Sequence, residues 1–205
     1  MSKKFLYCKK VGMTQVIEEN GSFTPVTVLH VEDNKIVNVK SAESDGYDAV
    51  VIGFGYKKET NCNKPELGYF KKNNTEPTRY LKEFRVEDNH EFKAGDVLNA
   101  DIFEVGDHVS VRGKSKGLGF TGTIKRWNFK RGLMTHGSKT HRIPGSIGAG
   151  TTPSRVYKGK KMAGRKGMDN ILTSNLRVVK RDANYLFVKG AVPGKKGTLI
   201  EVVGA

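Results

Sequence analysis

From His108 to Met168 the chain carries 15 lysines and arginines and not one aspartate or glutamate. A solvated protein face normally mixes both signs, because like charges repel across a Debye length of about 8 Å at physiological salt. The same stretch is poor in material for a core. Between Arg112 and Met168 lie 12 glycines, and only 13 of the 57 residues are Val, Ile, Leu, Met, Phe, Trp or Tyr. Glycine costs backbone entropy on ordering, and so little apolar surface cannot recover that cost by packing. An external partner has to order such a segment, and polyphosphate is suited to it: Lys and Arg neutralise the backbone and release counterions. The plain alternative is a disordered basic tail. Against it, the segment is internal and not of low complexity, with Phe120, Trp127, Phe129, Ile143, Ile147 and Tyr157 spread through it as anchors. A structured, RNA-embedded arm is the expectation.

The rest of the chain is close to neutral. Residues 1–107 hold 15 basic and 18 acidic residues and residues 169–205 hold 6 and 3, so the middle supplies almost all of the net +15. Two regions follow, a body of residues 1–107 plus 169–205 and a basic insertion of 108–168. An anionic membrane is a poorer partner than a nucleic acid. No run approaches the roughly 18 apolar residues that span a bilayer, and the cations lie on no amphipathic helical pattern. Phe5, Leu6, Tyr7 and Cys8 make too short an apolar stretch for a signal-peptide core, so a cytosolic protein is expected. Cys8 and Cys62 form no C-x-x-C pair and read as ordinary thiols.

The body reads as β-rich. Val26 to Val31 alternates, Glu32 to Lys35 reads as a turn and Ile36 to Val39 follows, the pattern of a β-hairpin. Ala49 to Phe54 follows the turn signal Asp45-Gly46, and Leu176 to Val179, Tyr185 to Lys189 and Thr198 to Val203 are separated by further turn signals. These spacings suit an antiparallel barrel or sandwich. Helix is scarce: one or two short turns are expected between Lys64 and Phe84, where Glu76, Arg79, Tyr80, Glu83 and Phe84 show weak helical spacing.

The candidate contacts to RNA are Arg112, Lys114, Lys116, Lys125, Arg126, Lys130, Arg131, Lys139, Arg142, Arg155, Lys158, Lys160, Lys161, Arg165 and Lys166, joined by Trp127, His136 and His141. Lys125 to Arg131 combines charge with Trp127 and Phe129, which fits either stacking between bases or an anchor at the root of the arm. A neutral histidine among cations can donate to phosphate or stack on a base. Enzymatic readings fare worse. Gly117 to Gly122 fits G-x-G-x-x-G, but Arg142 stands near where a dinucleotide site needs an acid. Gly113-Lys114-Ser115 resembles the end of a P-loop, yet His108 occupies the place of its first glycine. The two arm histidines have no nearby Cys, Asp or Glu to complete a metal site, and the arm's serines have no carboxylate for a triad. No catalytic residue and no metal ligand is assigned. A free-standing RNA chaperone, using the same arm, is the rival of a stably assembled RNA scaffold.

Beyond these readings, the chain closely resembles the bacterial-type large-subunit ribosomal protein L-three family over nearly its whole length. Lys9-Lys10-Val11-Gly12-Met13-Thr14 is similar to the family's opening and Val188-Lys189-Gly190-Ala191-Val192-Pro193-Gly194 to its ending. The most specific matches lie in the arm: His136-Gly137-Ser138, His141-Arg142, Pro144-Gly145-Ser146-Ile147-Gly148, Thr152-Pro153 and the run from Arg155 to Gly164. The resemblance implies a mainly β fold, a closed antiparallel barrel of the translation-protein type with a long, mostly irregular central extension. It implies a non-enzymatic constituent of the cytoplasmic large subunit that binds the RNA near its 3′ end, nucleates early assembly and contacts the neighbouring proteins L-fourteen and L-nineteen. The loop of Gly145, Ser146, Ile147, Gly148, Ala149, Gly150, Thr151, Thr152 and Pro153 would lie nearest the peptidyl transferase centre. No cofactor is implied, and any structural Mg2+ would be bound by the RNA. Two departures stand out. Some members carry a methylated glutamine where this chain has Ala149-Gly150, and many carry lysine where it has Leu118.

Overall fold

Phe5, Leu6, Tyr7 and Cys8 are all buried, although alternate residues of a strand face opposite ways. Both faces of this strand must therefore be covered. In the computed structural model, which describes residues 4–18, 20–86 and 92–204, they are. The strand is the first half of β1 (Phe5–Ile17), with β2 (Phe23–Val31) antiparallel to it. Leu6 and Cys8 point into one apolar cluster with Leu29, Phe103, Val109, Val111, Leu186 and Ile200, while Phe5 and Tyr7 point into a second with Ile36, Val50, Ile52, Phe54 and Phe84. A strand buried on both sides reads as a continuous apolar run.

The chain continues through β3 (Asn34–Lys40), α1 (Ala42–Asp45), β4 (Ala49–Tyr56), α2 (Lys64–Lys72), β5 (Thr78–Arg85), β6 (Val97–Leu98) and β7 (His108–Lys114). After a second unit, which holds β8 (Phe120–Thr121), α3 (Thr123–Trp127) and β9 (Gly164–Arg165), come β10 (Asn170–Asp182), β11 (Tyr185–Lys189) and β12 (Leu199–Gly204). Six strands close an antiparallel barrel in the order β1-β12-β7-β10-β11-β2, and β5-β4-β3-β6 form a separate four-stranded sheet. The sequence left a barrel or a sandwich open, and the family resemblance favoured the barrel; the barrel is what forms.

Two local expectations are corrected. β2 and β3 do not pair as a hairpin, since β2 lies between β1 and β11 in the barrel and β3 between β4 and β6 in the sheet. The reason is Asn34, fully buried at the crossing. Its side chain accepts from the Tyr7 N–H at 2.9 Å and donates to the carbonyls of Tyr7 at 3.0 Å and Glu32 at 2.7 Å, so residues 32–34 are tied to β1 and the chain passes from one core to the other. The second correction concerns residues 76–84. The helix ends earlier, at Lys72, after an Asn63 N-terminus whose N–H is capped by Glu66 at 3.1 Å. Arg79, Tyr80, Glu83 and Phe84 lie on β5 instead, where Tyr80 pairs with Phe54 and Phe84 with Val50. Aromatic packing decides it: Phe84 stacks on Phe5 at 4.5 Å and Tyr80 on Phe54 at 5.2 Å between ring centroids.

Lys10 and the loop at 192–194 belong to the two stretches that resemble the family's opening and ending, and the barrel brings them together. A register shift between Lys10 and Gly12 accompanies the burial of the Lys10 side chain, whose ammonium donates to the carbonyls of Val192 at 2.8 Å and Gly194 at 3.1 Å. A buried cation is tolerable only with such partners.

The chain divides into two compact units, Met1–Lys114 with Asn170–Ala205, and Ser115–Asp169. The charge boundary at 108 thus falls at the start of a barrel strand. Asn170 and Lys114 are directly paired across β10 and β7, so the structural division begins at Ser115.

Candidate nucleic-acid interface

The second unit, residues 115–169, holds 13 lysines and arginines against a single acid, Asp169. Its backbone is held by a short series of hydrogen bonds. Ser115 N–H donates to the Asp169 carbonyl at 2.9 Å, Leu118 N–H to Lys166 at 2.9 Å and Lys166 N–H to Gly119 at 3.0 Å. These lead into a two-stranded ribbon of β8 (Phe120–Thr121) and β9 (Gly164–Arg165), followed after β8 by the single short helix α3 (Thr123–Trp127). The glycine run 117–122 therefore lies on a ribbon before a five-residue helix, which is not the strand-to-long-helix setting of a dinucleotide site.

Trp127 has an internal use. Its Nε1–H and the Arg126 guanidinium donate to the same carbonyl, that of Met162, at 2.8 and 3.0 Å. Arg126 and Lys161 both stand over the indole, 5.0 and 5.7 Å from its centroid. This geometry ties the Lys125–Arg131 segment to Met162 within the unit. Lys166 donates to the Lys125 carbonyl and so fastens the same junction.

Beyond it the chain closes a loop by Gly132 N–H to the His141 carbonyl at 2.9 Å. A Cβ on Gly132 would stand 1.7 Å from the Thr140 carbonyl oxygen, so only glycine fits. His141 Nδ1 lies 2.9 Å from the Leu133 carbonyl and must carry a hydrogen to bond it. Among the described residues the 145–153 loop makes local hydrogen bonds, such as Ser146 Oγ to Gly148 O at 3.1 Å, and its glycines border open space.

What the unit lacks is an interior. Among its described residues only Thr121 and Thr123 are buried. Ten of its 13 large apolar side chains are exposed, Phe120 at 80%, Leu133 at 67% and Ile143 at 59% among them. No ion pair among the described residues involves any of its cations. Lys116, Lys125, Lys130, Arg131, Lys139, Arg142, Arg155, Lys158, Lys160 and Arg165 are exposed on it, and Arg155 stands 5.9 Å over the Tyr157 ring.

Arg112 and Lys114 differ from the rest. They sit on β7 of the barrel, facing out on either side of the buried Gly113, and Arg112 pairs with Glu201 at 3.3 Å. Charge counting had grouped them with the arm, because strand alternation cannot be seen in a run of cations. No cluster of three or more His, Cys, Asp or Glu side chains placed to hold a metal occurs among the described residues, and no helix there is long and apolar enough to cross a membrane.

A well-packed barrel joined in one chain to a polycationic unit with almost no interior has the build of a scaffold protein. The comparisons make this particular. The chain matches the family model described as Ribosomal protein L3 over residues 79–184. It is 53% identical over 199 residues to the large ribosomal subunit protein uL3 of Crocosphaera subtropica, covering 96% of this chain and 94% of the relative. It is 50% identical over 199 residues to the protein of the same name from Gloeothece citriformis, with the same coverage. For that of Bifidobacterium longum the identity is 50% over 207 residues, 100% of this chain and 97% of the relative. The chain belongs to the ribosomal protein L3 family, whose members are structural components of the ribosome and not enzymes.

Proposed function

We propose that this chain is a scaffold of the large subunit in cytoplasmic ribosomes, binding the large-subunit RNA directly near its 3′ end and helping to nucleate early assembly. Residues 115–169 carry the binding, with Lys116, Lys125, Lys130, Arg131, Lys139, Arg142, Lys158, Lys160, Lys161 and Arg165 as phosphate contacts and Trp127, Arg126 and Lys166 holding the shape. The observation that carries this reading is the combination of 13 cations, one acid and only two buried side chains in that unit. Exposed apolar groups and unpaired cations find partners together in folded RNA, whose backbone takes the charge and whose unstacked bases take the rings. The 145–153 loop is proposed as the part nearest the peptidyl transferase centre, where it shapes RNA while RNA performs the chemistry. Proteins L-fourteen and L-nineteen are the proposed neighbours, and structural Mg2+ belongs to the RNA. The test is sedimentation of cell extract in moderate salt. Quantitative recovery of the chain with the large subunit is expected; a mostly free pool would instead favour an RNA chaperone.

A further inference from the structure

On the body, the edge of the four-stranded sheet and the barrel strand β7 border a groove of about 540 Å3. That volume lies within the usual range for small-ligand sites, about 300 to 1,000 Å3. One wall is aromatic. Tyr7 stacks on Phe54 with centroids 4.6 Å apart and planes 9° from parallel, and Phe54 stacks on Tyr80 at 5.2 Å and 21°. Tyr7 and Phe54 are buried, whereas Tyr80, on the outermost strand of its sheet, is 38% exposed. The other side is cationic. Lys82, Arg112 and Lys114 line the groove, and Arg79 holds its guanidinium 5.5 Å from the Tyr80 ring. The acid lining it, Glu201, is already engaged by Arg112 and by the Tyr7 hydroxyl, each at 3.3 Å.

An aromatic face beside several cations, with the local carboxylate already neutralised, fits a nucleotide: the base has a π-face for the ring and the phosphates meet the positive charge. We propose that this groove takes one unstacked nucleotide of the large-subunit RNA, its base on Tyr80 and its phosphates on Lys82, Arg112 and Lys114. This rests on the RNA-binding reading above and extends it from the basic unit to the barrel body. It also gives Arg112 and Lys114 a role suited to their place on β7.

The experiment uses the full chain bound to large-subunit RNA that carries photoreactive 4-thiouridine, with crosslinked peptides identified by mass spectrometry. Nucleotide adducts are expected both within 115–169 and on the peptide containing Tyr80 and Lys82. Tyr80→Ala should cut the second adduct by about ten-fold while leaving the first, and Tyr80→Phe should retain both, since stacking needs the ring and not the hydroxyl. Should Tyr80→Ala lower the melting temperature, the exposed pair Lys82→Glu and Lys114→Glu tests the same groove through charge. Adducts within 115–169 without any at the groove, or groove adducts indifferent to both sets of variants, would overturn the proposal. So would a protein crosslink from Lys82 in the assembled subunit with no RNA adduct, which would mark the groove and its free strand edge as a peptide site. Adducts nowhere would bring down the RNA-binding reading itself, and this inference with it.

Discussion

Phe103 and Phe120 are the same side chain in two different kinds of structure. Phe103 is fully buried in the barrel, in contact with a cluster of valines, leucines and isoleucines; Phe120 is 80% exposed on a two-stranded ribbon. The body holds itself together by burying apolar surface, each fully buried large side chain contributing roughly 1.5–3 kcal/mol. The 115–169 unit has no such term, and its order comes from a few backbone hydrogen bonds, one tryptophan clamp and glycines where the chain crowds itself. Packing and charge are thus separated along the sequence: the part that holds the apolar cores is nearly neutral, and the part that carries the charge has almost no interior.

The severest way to break this contrast is to remove the second unit. Because Lys114 and Asn170 are paired at the end of β7 and β10, a short Gly-containing turn can join them. The shortened chain should unfold cooperatively at nearly the full-length temperature, followed by circular dichroism, and its affinity for large-subunit RNA in 0.1 M salt should fall on the order of a thousand-fold. Affinity within a few-fold of the full chain would show that the charge-rich unit is not the main binder. Next in size comes the phenylalanine pair. Phe103→Ala should cost about 3–5 kcal/mol in urea unfolding, and Phe120→Ala less than about 0.5 kcal/mol. Comparable losses would mean that residues 115–169 have a cooperative core after all.

These differences bear on what could be read beforehand. The acid-free run and the shortage of apolar residues were visible as composition, and the alternation of the flanking runs made the β-rich body legible. Strand partners were not. Nothing local in residues 26–39 tells that Asn34 is tied to Tyr7, so two adjacent strands looked like a hairpin although they bury against different cores. Residues 79–84 looked weakly helical because β5 is an edge strand with exposed residues on both faces, and its aromatics are held by rings distant in sequence, Phe5 and Phe54 among them. In the candidate site, the cations and Trp127 stood out by composition, but the direction of the indole towards Met162 did not, since that carbonyl is 35 residues away. The place of Tyr80 beside Phe54 and Arg79 was hidden for the same reason, since those neighbours come together only in space.

Two smaller effects sharpen the contrast from the side of the basic unit. Gly132→Ala sets a Cβ against the Thr140 carbonyl, so the loop closed by Gly132 and His141 must open. Body stability should not change, while RNA affinity should drop roughly five- to ten-fold, as expected for about 1 kcal/mol of local strain. Filter binding and thermal melting of the same sample separate the two outcomes; a lowered melting temperature would couple the regions. Lys160→Glu with Lys161→Glu should flatten the salt dependence of RNA binding, each lost phosphate contact reducing the logarithmic slope by about 0.7–0.9. An unchanged slope would place both lysines away from phosphate.

The smallest effect expected is a response to acid that belongs to the body alone. Lys57 holds the Glu66 carboxyl below its ordinary range, Lys35 does so for Glu76 and Lys40 with Tyr47 for Glu83, while Asp107 is lowered by the Glu104 N–H and then by Lys4. A carboxylate whose folded value is depressed contributes stability above its unfolded value, about 3.9–4.3, and that contribution is lost as pH falls below it towards the folded value. All four groups lie in the body. Melting temperatures measured at pH 6 and pH 3.5 should therefore fall by the same modest amount in the full chain and in the chain lacking 115–169, and Glu83→Gln should reduce the fall in both. These pairs are exposed and screened, so the loss should be further muted in high salt. A markedly larger fall in the full chain would mean that Asp169 or an unrecognised contact makes the basic unit share in the body's stability, and the separation of the two regions would then be incomplete.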